Sequence, residues 1–344
     1  MTIKRTAVFT DIHFGKRSNS IVHNQDCLDF LSFFSERVKE DGKITHLVFM
    51  GDWFENRNAI NVLTMDYAHQ ACSILNGLGL PIIFIIGNHD LYHRESRKVF
   101  STRIFDEFKN IQVVSEPTVI DETLFCPFLF REEYSQLAKY NNLPIWYGHF
   151  EFRNFMLTGS NMIMDKGPEH TQFKGPTYIF SGHYHKRQAV DNVVYMGNCF
   201  PTDFGDAGDN ERGMMIVDHE TMDVDFIDWA ECPTFVKTTL NKVATGEVAI
   251  KEGARVRCLL DLDITYSEAQ TLKEEFTKAY NLREFVIEEN MFEKKDALME
   301  GGDIELDDLE LSGLDETVKL LLETGVQTTT TIDPKKLIEI YNEL

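Results

Sequence analysis

Five short polar clusters in this chain carry the residue types that bind divalent metal ions. They are Asp11-Ile12-His13, Gly51-Asp52, Gly87-Asn88-His89-Asp90, Gly148-His149 and Gly182-His183-Tyr184-His185. Together they offer two carboxylates (Asp11, Asp52), one neutral amide oxygen (Asn88) and four imidazoles (His13, His149, His183, His185). Mixed nitrogen and oxygen donors suit Mn, Fe or Zn, whereas an all-oxygen set would suit Mg or Ca. Asp11 and His13, two apart on an extended segment, can turn to the same side. Asp52 follows a glycine, which lets the backbone turn sharply and leaves both carboxylate oxygens free to bridge two ions. A lone Gly-Asp or Gly-His is usually a turn, and a lone buried histidine is usually a core residue. The ordered set carries the reading.

Each cluster closes a short apolar, β-branched run: 7–10, 47–50, 82–86, 144–147 and 177–180, with a sixth run at 193–196. Apolar runs without alternation suit strands buried on both faces. Helical spacing at 24–39, behind a possible Asn24 cap, and at 62–77 gives strand–helix alternation. The expectation is a layered α/β fold with its ligands outside the carboxyl ends of the strands. This unit is expected over 1–231. A small α+β capping domain is expected over 232–292, with strands at 255–262 and 284–288 and a helix at 266–279. An acidic linker and two short amphipathic helices follow over 293–344.

The composition narrows the class. Lys and Arg number 34 against 56 Asp and Glu, a net charge of −22. That argues against a whole-surface nucleic-acid binder but leaves room for a local basic site. The six scattered cysteines lack any Cys-x-x-Cys pair, which reads as free thiols in a reducing compartment. No apolar run approaches the roughly 20 residues of a membrane span, and no signal-peptide core precedes Asp11. A soluble, cytoplasmic protein is expected.

The ordered clusters over residues 7–200 resemble the calcineurin-like metallophosphoesterase superfamily. The resemblance implies a β-sandwich flanked by helices and two bound ions. One would be held by Asp11, His13, Asp52 and His185, the other by Asp52, Asn88, His149 and His183. Two such ions clamp a phosphate and lower the pKa of a water that attacks phosphorus in line. His89 would protonate the leaving oxygen or steady the transition state, with Asp90 orienting its ring. Some members have a histidine three residues after the bridging aspartate. Here that residue is Glu55, so the resemblance assigns it no role. His23, His46, His69, His170 and His219 stand outside the motifs and read as structural. His93 lies nearer the site.

Three functions compete. The layout resembles SbcD-type DNA nuclease subunits, and is similar to the recombination-endonuclease subunits of tailed bacteriophages. That implies a DNA exonuclease, with possible single-strand endonuclease activity, using Mn²⁺ or Mg²⁺. The alternatives are a phosphatase or phosphodiesterase acting on a phosphoprotein or small nucleotide, and a scaffold without metals. The intact ligand set counts against the last. Basic residues after the motifs favour the first: Lys16, Arg17, Arg57, Arg94, Arg97, Lys98, Arg153, Lys186 and Arg187 could ring the metals and grip flanking phosphates. Phe14, Trp53 and Tyr92 could stack on bases, though packing is the favoured reading. The resemblance also implies an SMC-like ATPase partner (SbcC type). The apolar stripes of the two terminal helices, including Leu337, Ile340, Tyr341 and Leu344, point to 312–344 as its docking element unless they fold back on the capping domain. The resemblance further implies a homodimer within a heterotetramer, formed through helices near 62–77 and 97–109.

Overall fold

The computed structural model describes residues 2–157 and 162–289. The helical tail expected over 293–344 lies outside the described residues. Within Met1–Glu288, which forms one compact unit, the unalternated runs become the central strands of two six-stranded sheets. The first sheet runs in the order Val224–Asp228, Gly213–Asp218, Arg5–Phe9, His46–Phe49, Ile82–Ile85, Ile111–Val114. Its last four strands are mutually parallel, and Gly213–Asp218 joins Arg5–Phe9 antiparallel. The second is ordered Gln188–Val190, Val193–Tyr195, Tyr178–Ser181, Ile145–Gly148, Thr123–Cys126, Thr118–Ile120.

Burial explains why the runs do not alternate. Val8, Val48, Ile83 and Ile85 of the first sheet pack against Phe125, Ile145, Tyr147 and Phe180 of the second, forming the core between the sheets. The opposite face of the first sheet, with Phe9, Phe49 and Phe84, is covered by Phe30 and Phe34 of the helix Ile21–Asp41 and by Ala68, Cys72 and Leu75 of Val62–Asn76. The outer face of the second, with Leu124, Trp146 and Ile179, lies under Tyr134, Leu137, Phe150 and Phe173. Both faces of both sheets are covered, so the central strands are mostly apolar, with Thr6, His46 and Ser181 as buried polar exceptions.

Two local expectations are corrected. Ile21–Asp41 starts three residues before the expected helix and is capped by Ser20, whose side chain accepts from His23 N. Asn24 instead accepts from Gly15 N at 2.8 Å and donates to Thr64 Oγ1, tying the first motif loop to the helix Val62–Asn76. Residues 97–109 are not a helix: Ser96–Phe100 is a strand, followed by a 3₁₀ turn over Ser101–Glu107. The β-branched and aromatic Val99 and Phe100 favour the strand.

Residues 235–289 form a three-stranded sheet ordered Phe235–Thr239, Arg255–Leu260, Glu284–Glu289, with a helix at Tyr266–Ala279 closed by a Thr265/Glu268 capping box. Arg255, on its central strand, and Arg283, just before its last, hold the sandwich through charge. Asp26, buried on the helix Ile21–Asp41, accepts from Arg255 Nη2 at 3.3 Å and also pairs with Arg283.

Candidate metal centre

All five clusters sit at the carboxyl ends of strands, where the two sheets meet at one end of the sandwich. Asp11, His13, Asp52 and Asn88 come from the first sheet, and His149, His183 and His185 from the second. The loops after Arg5–Phe9 and His46–Phe49 zip together: Asp11 N donates to Gly51 O, His13 N to Asp52 O and Phe14 N to Trp53 O, at 2.7 to 3.1 Å. Glycine is required here by contact. A Cβ on Gly51 would lie 2.5 Å from His149 Nδ1, and one on Gly87 would lie 2.2 Å from Asp52 Oδ1.

The expectation of an extended Asp11–His13 segment is corrected. Asp11 and His13 both have φ 53°, Asp52 has φ 61° and His183 φ 87°, all left-handed. Such backbone costs on the order of 1–3 kcal/mol per residue, and it aims four of the seven donor side chains inward. Four non-glycine donor residues in this region mark a site whose geometry the surrounding fold imposes.

The donor atoms converge in two groups that share one oxygen. His13 Nε2 lies 3.2 Å from His185 Nε2 and 3.9 Å from both Asp11 Oδ1 and Asp52 Oδ2. Asn88 Oδ1 lies 2.9 Å from His149 Nε2 and 2.8 Å from His183 Nδ1. Asp52 Oδ2 is 3.3 Å from His149 Nε2, so the same oxygen faces both groups. The surroundings fix the imidazoles. His149 Nδ1–H donates to Met50 O at 2.7 Å, which turns Nε2 toward the centre. Thr10 Oγ1 donates to Asp11 Oδ2 at 2.6 Å and His183 N to the same oxygen at 3.1 Å.

Electrostatics agree with a ligand set. Burial opposes charge on Asp52, but His149 beside it outweighs burial and holds the carboxyl well below the usual range. Burial would likewise neutralise His149, yet Asp52 lifts it to about 9. Burial and His149 push His183 down to about 3, and burial and His13 hold His185 well below its ordinary value. Buried carboxyl groups packed among four crowded imidazoles fit divalent cations, which replace protons at such donors.

His89 and Asp90 correct one expected contact. Asp90 does not touch the His89 ring. Its Oδ2 accepts from Gly87 N at 2.9 Å and Asp52 N at 3.0 Å, and its Oδ1 from Trp53 N at 3.0 Å and Phe54 N at 3.3 Å. Asp90 therefore braces the turn that carries the shared aspartate. His89 is oriented by a backbone group instead: its Nδ1–H donates to Glu55 O at 2.7 Å, while its own N–H donates to Asp52 Oδ1 at 2.7 Å.

The proposed basic ring is thinned. Arg97 is only 6% exposed in its side chain and is spent on Glu133, at 2.5 and 2.7 Å, and on the carbonyls of Ser115 and Phe128. It belongs to the core, not to a phosphate-gripping surface. Lys16 pairs with Asp203 at 3.3 Å, Arg17 with Glu284, Arg153 with Glu169 at 3.6 Å and Arg187 with Asp228 at 2.8 Å. Arg57, Arg94, Lys98 and Lys186 show no such partner among the described residues, and Arg94 and Lys98 are exposed. Phe14 and Trp53 are buried and Tyr92 is half exposed.

Two contributors escaped sequence reasoning. His23, given a structural role, donates from Nε2 to His13 O at 2.9 Å and so holds the ligand loop. Glu55 places Oε2 2.9 Å from His13 Nδ1. Although burial pushes the Glu55 carboxyl up, His13 and the nearby cations hold it at about 2. Neither carries a motif signal, because each acts on a residue that does.

The chain belongs to the calcineurin-like phosphoesterase family, whose pattern matches residues 4–187 and so includes all seven donors. Among curated proteins it is similar to exonuclease subunit 1 of Enterobacteria phage T4, 27% identical over 225 residues, 63% of this chain. The match spans 65% of that relative's length. Solved structures with similarity include a novel archaeal phosphodiesterase, at 13% identity and TM-score 0.35, covering 65% of this chain and 99% of that one. A dimetal phosphatase from Danio rerio matches at 8% identity and TM-score 0.37, covering 63% and 93%. No helix among the described residues is long and apolar enough to cross a membrane.

Proposed function

We propose that this chain is a metal-dependent DNA nuclease, hydrolysing phosphodiesters at the seven-residue centre. The observation that carries the reading is Asp52 Oδ2, which faces both donor groups, 3.9 Å from His13 Nε2 and 3.3 Å from His149 Nε2, and so is placed to be shared by two ions. Bound there, divalent ions (Mn²⁺ by the mixed donor set, or Mg²⁺) would neutralise phosphate charge and acidify a water nucleophile. The protein's own groups do the rest. His149 and His13 are held with Nε2 inward. Asp90 locks the turn of Asp52. His89, with Nδ1 tied to Glu55 O, keeps Nε2 as the nitrogen able to hand a proton to the departing oxygen. A DNA substrate is supported by the likeness to a phage exonuclease subunit and by the cations Arg57, Arg94, Lys98 and Lys186, which form no ion pair among the described residues.

That relative's standing as a subunit also supports a partner, an SMC-like ATPase engaging 312–344, a segment outside the described residues. Self-association is supported by exposed apolar residues at Val62 and Leu63, opening the helix Val62–Asn76, and by Val99 and Ile104 on the strand and turn that follow.

The test is incubation of the purified chain with linear duplex DNA, single-stranded DNA and an aryl phosphodiester, with Mn²⁺ or Mg²⁺, with and without EDTA. Cleavage of DNA that EDTA abolishes is expected. Turnover of the aryl ester without DNA cleavage, even with the ATPase present, would move the assignment to a small-molecule phosphodiesterase.

Replacing Arg57, Arg94 and Lys186 together by alanine should weaken DNA binding and reduce its salt dependence, by about 0.9 log unit in slope for each phosphate no longer neutralised. Arg97→Ala should leave the slope alone and destabilise the fold by about 2 kcal/mol, below the ~3–5 of a fully buried pair because Glu133 stays partly exposed. Salt titrations of binding, alongside thermal unfolding, check both. A slope lowered by Arg97→Ala would return that residue to the DNA surface.

A further inference from the structure

We propose that the Glu55 carboxylate is a positioning residue for the metal centre: it keeps the proton of His13 on Nδ1, facing the carboxylate, and so presents His13 Nε2 as a lone pair. The proposal rests on the two-ion reading above. Glu55 is delivered by the paired motif loops, where Glu55 N donates to Phe14 O at 3.0 Å just beyond the bridge between Phe14 and Phe54. Its Oε2 then stands 2.9 Å from His13 Nδ1. The carboxylate lies off the ring's N–H line, but the nitrogen is sealed from water and, among the described residues, no other group is hydrogen-bonded to it.

The two nitrogens of His13 face opposite ways. Nε2 looks toward His185, Asp11 and Asp52, at 3.2, 3.9 and 3.9 Å, while Nδ1 looks toward Glu55. The imidazole therefore stands between the carboxylate and the other donors, and Glu55 acts through the ring. An anion at Nδ1 selects the tautomer protonated there and makes Nε2 the more basic donor. Losing the anion leaves a buried N–H without a partner. The side chain and main chain of Glu55 do different things: the carboxylate serves His13 and the carbonyl serves His89 at 2.7 Å. Substituting the side chain should separate them.

Calorimetric Mn²⁺ titration of the full chain tests this, with wild type, Glu55→Ala and Glu55→Gln compared and folding checked by thermal unfolding. Wild type should take up two ions. Glu55→Ala should still take up two, one of them about 10–100-fold more weakly, the usual effect of losing an outer hydrogen-bond partner of a metal-binding histidine. Glu55→Gln, which keeps an acceptor oxygen, should fall between. The turnover deficit of Glu55→Ala on an aryl phosphodiester should shrink as Mn²⁺ is raised. Equal affinities in all three proteins would overturn the proposal. So would loss of a whole ion in Glu55→Ala, which would make the carboxylate a ligand. A wild-type chain that binds no ions would instead fail the two-ion reading and leave the Glu55 contact structural.

Discussion

Asp52→Asn should cost more than any other single substitution in the protein. Its Oδ2 faces His13 Nε2 at 3.9 Å and His149 Nε2 at 3.3 Å, so one change weakens both donor groups. Asparagine keeps the shape and one acceptor oxygen but removes the negative charge that both groups use. Ions at such a centre supply several kcal/mol of charge stabilisation, and at about 1.4 kcal/mol per tenfold this predicts a rate loss of roughly a thousandfold or more. Uptake of Mn²⁺ should fall as well. In the wild type, Mn²⁺ at a hundred times its dissociation constant adds about 2.7 kcal/mol per site, or roughly 4 °C in the unfolding midpoint of a chain this long. Asp52→Asn should lose most of that shift. A variant that keeps two ordinary Mn²⁺ sites by calorimetry would remove Asp52 from the shared position.

Much of this centre was legible in the sequence because the sandwich is dry on every face. An apolar run such as 82–86 has no solvent side to alternate toward, so the first polar residues after it stand out, and here they are Asn88 and His89. The two ends of the sheets could be read as one site from the order of such clusters alone. What stayed hidden depends on residues far apart in the chain. Arg97 looks like its neighbour Arg94, and only Glu133, 36 residues on, turns it into a core residue. Asp90 looks like a partner for the histidine before it, but the amides of residues 52–54 claim its carboxylate. The left-handed backbone at Asp11 and His13 leaves no composition signature, since aspartate and histidine are ordinary strand-end residues. Glu55 stands where some relatives carry histidine, so a comparison of motifs discards it, and only its distance to His13 gives it a task.

His89→Ser should separate binding from chemistry. The His89 side chain is outside both donor groups, and the contact that steadies Asp52 is its backbone N–H, donated to Oδ1 at 2.7 Å, which serine retains. Both Mn²⁺ ions should therefore bind as in wild type, and DNA affinity should hold. Cleavage should fall by about 10²–10⁴-fold, the range for loss of a general acid. The substrate decides whether proton donation is the role. A deoxyribose alkoxide leaves poorly without a proton, whereas a nitrophenolate needs none. On a nitrophenyl phosphodiester the same variant should lose far less than on DNA. Equal losses on both substrates would assign His89 to transition-state charge stabilisation, because that service does not depend on the leaving group. Loss of an ion would make it a ligand, and the edge-on approach of its ring to His13, with centroids 5.0 Å apart, would then be part of the metal site itself.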